Sequence, residues 1–464
     1  MNPRSDAVAI FRAAVARVDP VPMVEGSLRV DEASNTLAVS VGGVDELRYD
    51  LNRFDRIFAT GMGKASARMA VGLERALGSR ISGGLVAVKA GHVEALEHIR
   101  LVESSHPVPD ARSLSAATAI LELGASLGTE LTERDLVIVL VSGGGSALLC
   151  APAAGLTLED KIITTKQLLA CGATINEVNC VRKHLSAVKG GRLAAAFSPA
   201  TVLTLVLSDV IGDDLDAIAS GPTVPDPTTF ADALGIVKRY GIEDTLPATV
   251  IARLLAGKAR LLAGAAGDLD MPDETPKPGD PVFARVTTVL VGTNRLALAA
   301  AETEARRLGY NSLVLSSRIT GEAREIAQVF LGIGKDIAAS GFPLERPACI
   351  IAGGETTVTL RGTGKGGRNQ EMALAFLDSL GRSPKDGENV TFLSAGTDGN
   401  DGPTDAAGAV VDLALHHSAL AQGLDSAAVL AHNDSYSFFS HAGGLVKTGP
   451  TNTNVCDVQV LLVV

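Results

Sequence analysis

The chain has 464 residues, with 41 Lys plus Arg against 52 Asp plus Glu, for a net charge of −11. Its 46% apolar and 20% charged residues exclude a disordered or low-complexity chain. An acidic balance with 3% aromatics and no Trp argues against a nucleic-acid binder and against an anionic membrane surface as partner. At roughly 100–200 residues per domain, two or three domains are expected. Five scattered cysteines, with no CxxC pair, indicate neither a zinc site nor a disulfide framework, and suit reduced thiols in a cytoplasmic protein. No apolar run approaches the length of a membrane span, and the N-terminus lacks the apolar core of a signal peptide.

In chain order, the first 18 residues place apolar side chains at helical spacing. Short β-branched runs then end repeatedly in Gly- or Asp-rich turns followed by helix-like stretches. Arg56–Thr60 runs into GMGK, Leu136–Val141 into SGGGS and Thr201–Leu207 into SDVIGDD. Val286–Val291 runs into GTN, Cys349–Ala352 into GGET and Val390–Leu393 into SAGTDGNDG. Such alternation predicts βαβ units and an α/β fold of mainly parallel, Rossmann-like sheets. Ligands in such folds bind beyond the carboxyl ends of the strands. The stretch 265–281 is rich in Pro, Asp and Gly and lacks apolar periodicity. It places an N-terminal α/β domain over 1–262, a linker over 263–281 and a second α/β domain over 282–464. Residues 457–464, DVQVLLVV, predict a terminal strand, an edge that could pair with a second copy in a homo-oligomer.

Within TGMGKAS, Gly61 and Gly63 let a backbone approach a ligand, a helix start favours an anion, and Lys64 adds a movable charge. A tight turn with a solvent-facing Lys is the plain alternative. In VSGGGSA, Ser142, Gly143, Gly144, Gly145 and Ser146 offer amide N–H groups and two hydroxyls as a phosphate or carboxylate cradle. Residues 179–192 gather Arg182, Lys183, His184, Lys189 and Arg192, with Arg182 and Lys189 seven apart on one expected helical face. A solvated basic face is the alternative there, and His184 alone reads as structural. Asp209 ends a strand and is a candidate metal ligand or base, whereas Asp213, Asp214 and Asp216 suit helix N-terminal charge. Residues 353–371, GGETTVTLRGTGKGGRNQE, carry Glu355, Arg368 and Asn369. Arg368 opens an expected helix, where a positive charge is unfavourable unless an anion sits beside it. Asp398, Asp401 and Asp405 alternate with glycines like a metal loop, although EF-hand spacing is absent.

GMGKAS, VSGGGSALL, NCVRKHLSAVKGGRLA, LSDVIGDDLDAIASGPTVPDPTT, GGETTVTLRGTGKGGRNQE and AGTDGNDGPTDAAGAVVD follow one another from about residue 55 onward. Together they resemble the class II glycerate kinases (glycerate 2-kinases), whose second half is the MOFRL type. Members of that family have often been labelled hydroxypyruvate reductase. The resemblance implies ATP-dependent phosphorylation of D-glycerate at the 2-hydroxyl, two α/β domains and an active-site cleft between them. It further implies that Lys64 and Arg368 form a charged pair there, clamping the glycerate carboxylate and the transferred phosphoryl group.

On that reading Gly61, Gly63, residues 142–146, Arg182, Lys189, Glu355 and Asn369 bind substrate or nucleotide. Mg²⁺ would be held by Asp209 or by Asp398 of the second-domain loop, and Asp209 could instead take the hydroxyl proton. Two alternatives stand beside the kinase. A hydroxypyruvate reductase needs a dinucleotide fingerprint, but Ser66 holds the third Gly position and no acid lies about 20 residues on. A phosphate-binding module without catalysis would not need so many polar loops in two domains.

Overall fold

The protein's structure, a computed structural model, describes residues 2–41, 44–263, 271–383 and 387–464. It divides into two compact units, neither of them contiguous in sequence. One comprises Pro20–Ser208 and Asp213–Val291; the other comprises Met1–Asp19, Asp209–Gly212 and Gly292–Val464. They are termed the parallel-sheet unit and the mixed-sheet unit.

The parallel-sheet unit opens with a small antiparallel sheet of β1 (Leu28–Asp31), β2 (Thr36–Val41) and β3 (Val44–Asp50). Its main sheet uses β4 (Arg56–Met62), β5 (Ile81–Lys89), β6 (Ile99–Ser104), β7 (Asp135–Val141), β8 (Thr201–Leu207) and β9 (Val286–Gly292). The spatial order is β6-β5-β4-β7-β8-β9, and the ladders β6–β5, β5–β4, β4–β7 and β7–β8 are all parallel. Every residue of β7, DLVIVLV, is buried, as a central strand covered on both faces requires. The chain winds outward from β4 through β5 to β6, then crosses back to β7 and β8. The order therefore reverses between β4 and β7, and that reversal point is where ligands of doubly wound sheets bind. The loops after β4 and β7 are the two Gly-rich motifs, GMGK and SGGGS.

The mixed-sheet unit carries β10 (Asn311–Ile319), β11 (Ala348–Gly354), β12 (Val390–Gly396), β13 (Gly408–Asp412), β14 (Leu445–Val446) and β15 (Asp457–Val463). Their order is β10-β11-β15-β12-β13-β14. Here the expectation of mainly parallel strands meets a difference: β10–β11 is parallel, and the four other ladders are antiparallel. The cause is the terminal strand. β15 inserts antiparallel between β11 and β12 and pairs along its whole length with both. It is thus a fully buried central strand, so the pairing edge anticipated for a second copy is already used. Beneath it lies a core including Phe330, Phe376 and Phe392, with the last two rings stacked 4.5 Å apart.

The predicted domain boundary also moves. The N-terminal helix Pro3–Arg17 belongs to the mixed-sheet unit, burying Ala7, Ile10, Phe11 and Ala14. Arg4 grips Asp412 with two 2.6 Å bonds, and Tyr310 donates to Asp6 at 2.8 Å. The expected linker 263–281 falls outside the described residues over 264–270, and its remainder is built into the parallel-sheet unit. Thr275 donates to buried Asp226 at 2.9 Å, Glu274 meets His184 at 3.1 Å, and the Asp226 amide donates to the Pro276 carbonyl at 2.9 Å. Its polar composition reads as a linker because its partners are distant in sequence; in the fold those partners hold it down.

Candidate active site

In the parallel-sheet unit, β4 and β7 deliver their loops side by side. The Lys64 amide donates to the Gly143 carbonyl at 2.9 Å and the Ser142 amide to the Met62 carbonyl at 3.1 Å. Ser142 is buried, and its Oγ accepts from the Ala65 amide at 3.1 Å. Its hydroxyl therefore ties the first loop, at the start of the helix Ser66–Leu77, to the second, a structural role beside the binding role expected of it. Gly61 and Gly63 also have a packing role. A Cβ on Gly61 would strike the Leu140 carbonyl of β7, and one on Gly63, at φ +138°, would land on Ser142 Oγ. The close packing of the two loops by itself requires glycine at both positions.

What remains open is the rim. Among the described residues, the amide N–H groups of Gly143, Gly144 and Ser146 form no hydrogen bond, whereas that of Gly145 donates to the Ser142 carbonyl at 3.3 Å. Three unpaired amides near the carboxyl end of a parallel sheet make an anion cradle. Gly144, at φ +80°, would bring a Cβ within 3.0 Å of His106 and 3.1 Å of Lys64 Cγ, so Lys64 runs along the cradle's edge. Lys64 is exposed and forms no ion pair among the described residues. Burial, reinforced by the charges of Lys64 and Lys89, holds the His106 imidazole down at about 4, neutral at physiological pH. No sequence signal pointed to His106.

Arg182 and Lys189 do not share one helix, because Ile175–His184 ends before Lys189. The fold nevertheless brings both to one cavity, which Ser146 also lines. Lys189 Nζ donates to Ser146 Oγ at 2.9 Å, and Ser146 Oγ lies 2.9 Å from Ser220 Oγ. Burial first, then Arg182 and Lys161, push the Lys189 ammonium well below its ordinary value. His184 is structural as expected, bonding the Cys180 carbonyl and Glu274. Asp216 is an ion-pair partner of buried Lys183 rather than helix-end charge.

In the mixed-sheet unit, Glu355 directly follows β11 and Asp457 opens β15, and Arg368, first residue of the helix Arg368–Gly381, reaches both. Arg368 Nε and Nη2 bond the Asp457 carboxylate at 2.6 and 2.9 Å, and Nη1 bonds Glu355 at 2.7 Å. The anion expected beside this helix start is therefore the chain's own. Burial opposes the guanidinium charge, but the hydrogen bonds and charge of Asp457, with Glu355, outweigh it and push the Arg368 pKa up. Burial raises the Glu355 pKa despite Arg368. Asp401, buried, accepts from the Asn369 and Gln370 amides at 3.1 and 2.8 Å and so caps the helix; burial lifts it to about 6. Asn369 is turned inward, with 1% exposure, accepting from Ser394 at 2.6 Å. In this structure it supports the helix start from inside, a structural role in place of the exposed binding position expected of it.

Arg368, Asp398 and Asp401 line a cavity of about 450 Å³. The short segment Asp209–Gly212 belongs to this unit, and the Asp209 carbonyl accepts from Cys456 Sγ at 3.2 Å. Burial, then the charges of Glu355, Asp457 and Asp209, push the Cys456 thiol up, which puts these carboxylates in one neighbourhood. Among the described residues no group of three or more His, Cys, Asp or Glu converges as a metal cage. Hard carboxylate oxygens in excess over one arginine still fit Mg²⁺, which takes one or two carboxylates and completes its shell with phosphates and water. Asp457 and Lys161 escaped the sequence reading, whereas Asp401 was read as part of a metal-like loop and is instead the cap of the helix. An acidic residue opening the otherwise apolar run DVQVLLVV was the available signal for the first.

The fold and the two loop systems define an α/β protein with an amide anion cradle at a sheet reversal and an acidic arginine-centred pocket. Residues 6–255 match the family model described as "Domain of unknown function (DUF4147)", and residues 348–457 match the MOFRL family. The chain is 39% identical to the D-glycerate 2-kinase of Thermotoga maritima, over 96% of this chain and 100% of that one. It is 43% identical to a putative hydroxypyruvate reductase of Agrobacterium vitis, over 88% of this chain and 87% of that one. The crystal structure of glycerate kinase from Thermotoga maritima superposes with a TM-score of 0.84 at 37% identity, covering 99% of each chain. The chain belongs to the glycerate kinase family that carries the MOFRL domain.

Proposed function

We infer that the chain transfers the γ-phosphoryl group of ATP to the 2-hydroxyl of D-glycerate, giving 2-phosphoglycerate and ADP. Full-length similarity to a D-glycerate 2-kinase is the observation that carries this reading. The amide cradle of Gly143, Gly144 and Ser146 supports it, since phosphoryl transfer is chiefly positioning and electrostatic stabilisation.

In this reading the cradle and Lys64 take phosphate oxygens. The 2-hydroxyl oxygen attacks the γ-phosphorus, the bond to the ADP oxygen breaks, and a carboxylate receives the hydroxyl proton. Asp209 serves as that base or as a metal ligand, with Asp398 as the other ligand. Mg²⁺ when bound neutralises phosphate charge. Arg368, already paired with Asp457 and Glu355, acts on the developing phosphoryl charge through its exposed edge. Lys64 and Arg368 are proposed to serve the same reaction. Five free cysteines are compatible with a reducing, cytoplasmic setting.

The reductase name carried by one relative is the second reading. Against it stand Ser66 at the third glycine position and loop glycines explained by packing. The test is ³¹P NMR of the product from D-glycerate, ATP and Mg²⁺, with hydroxypyruvate and NADH run in parallel. 2-Phosphoglycerate without NADH oxidation is expected. 3-Phosphoglycerate would correct the position of attack, and NADH oxidation without ATP turnover would overturn the kinase.

A further inference from the structure

Beside the amide cradle, wholly within the parallel-sheet unit, lies a cavity of about 400 Å³. Part of its lining is cationic: Lys161, Arg182 and Lys189 belong to it, and Lys166 stands exposed at the rim. Lys161 and Lys189 are 5% and 2% exposed. No Asp or Glu lines the cavity. The polar contacts of the two buried ammonium groups are to neutral atoms. Lys161 Nζ donates to the Ala151 carbonyl at 3.1 Å, and Lys189 Nζ donates to Ser146 Oγ and to the Ser146 and Ala219 carbonyls.

The contrast with Lys183 is instructive. That lysine is equally buried, yet the fold gives it two carboxylates, Asp216 and Asp226. Buried cations without a carboxylate are unfavourable unless something else supplies the negative charge. Burial accordingly drives the Lys161 ammonium down to about 8.

The rest of the lining is largely apolar. Pro107, Val108, Pro109, Ile162 and Leu169 belong to it, and Val108 and Leu169 are 57% and 61% exposed. A hydroxy acid or a free phosphate would use the cationic lining and leave the apolar lining bare. The cavity volume falls instead in the range of roughly 300–1,000 Å³ that suits larger ligands. A ligand that is polyanionic at one end and flat and apolar at the other matches both kinds of lining. Ser146 belongs to both the cavity and the cradle, and Pro107 follows His106, which flanks Gly144 next to Lys64. Ser146 thus joins the cavity's cationic lining to the cradle that Lys64 borders.

We propose that this cavity is the nucleoside triphosphate site, with the phosphate chain on Lys161, Arg182 and Lys189 and the base against Pro107–Pro109 and Leu169. The proposal rests on the kinase reading and adds the location of its nucleotide.

Two variants leave the buried cations in place. Thr165→Trp fills the mouth, and Lys166→Glu reverses the charge at the rim. ADP is titrated calorimetrically into the full chain and both variants, and KM is measured separately for ATP and for D-glycerate. Thermal melts confirm that the variants fold. ADP affinity should fall and KM for ATP should rise by about tenfold or more, with KM for glycerate unchanged. A rise in KM for glycerate alone would overturn the proposal and give the cavity to the hydroxy acid. Unchanged constants in both folded variants would also overturn it. If the chain did not phosphorylate glycerate, the ADP titration would still decide. Binding lost in the variants would keep the nucleotide site while the acceptor is revised, and no binding to the unaltered chain would reject it.

Discussion

Lys64 and Arg368 each stand at the start of a helix, where positive charge opposes the helix dipole. Arg368 arrives with its own counterions, Asp457 at 0% side-chain exposure and Glu355 beside it. Lys64 has no carboxylate partner among the described residues and instead borders three unpaired amide groups. One region is thus an assembled ion-pair cluster with a carboxylate excess, and the other is a set of donors awaiting an anion. The same contrast runs through the buried charges nearby: Asp401 is an acid held above its usual range, and Lys161 is a base held below its own. Two residues with the same local sequence signature therefore call for different experiments.

The largest effect should come from Asp457→Asn. Removing the buried partner leaves Arg368 with a half-exposed glutamate alone, and breaking such a pair costs about 3–5 kcal/mol. Urea unfolding should record that loss. Arg368→Lys should recover only part of it, because an ammonium cannot reproduce the bidentate fork. If Asp457→Asn unfolded with the unaltered midpoint, the cluster would not be the brace described above.

Lys64→Ala should behave in the opposite way. Its side chain is exposed and unpaired, so the unfolding midpoint should stay within about 0.5 kcal/mol of the unaltered chain. Its kcat with ATP and D-glycerate should drop by about 10²–10³-fold, the scale of one lost transition-state donor. Unaltered kcat in the folded variant would remove Lys64 from the reaction.

The smallest effect sharpens the comparison through pH. Asp401 sits at about 6 folded against 3.8 unfolded, so between those values the native state holds the extra proton and stability falls as pH rises. Lys161 sits at about 8 folded against 10.5 unfolded, so across that window the unfolded state holds the extra proton and stability rises with pH. Each slope is at most about 1.4 kcal/mol per pH unit. Subtracting the melts of Asp401→Asn and Lys161→Met from those of the unaltered chain isolates each slope. Slopes of the same sign would contradict the opposed environments.

Much of the parallel-sheet unit was legible because its strands are unbroken apolar runs ending in glycine turns, as in DLVIVLV before SGGGS. Periodicity and turn chemistry are local, and so they survive in one dimension. The mixed-sheet unit was harder to read. DVQVLLVV announces a strand but not its neighbours, and an antiparallel insertion between β11 and β12 is decided by pairing across more than sixty residues. Residues 271–281 are hard to read for the same reason: they look like a linker until Asp226 and His184 come to meet them.

The sequence by itself determined which loops carry chemistry, because glycine clusters, Lys64, Arg368 and Asp209 are local marks in a family pattern. Only the tertiary structure decided what each mark does. Ser142, Gly61 and Gly63 became packing between loops, Asn369 turned inward, and Arg182 and Lys189 met at one cavity although no single helix joins them. The physical reason is that burial and charge balance are sums over neighbours in space. Asp457 neutralises Arg368 from 89 positions away, and nothing near Lys161 in the chain tells that no carboxylate will come to it.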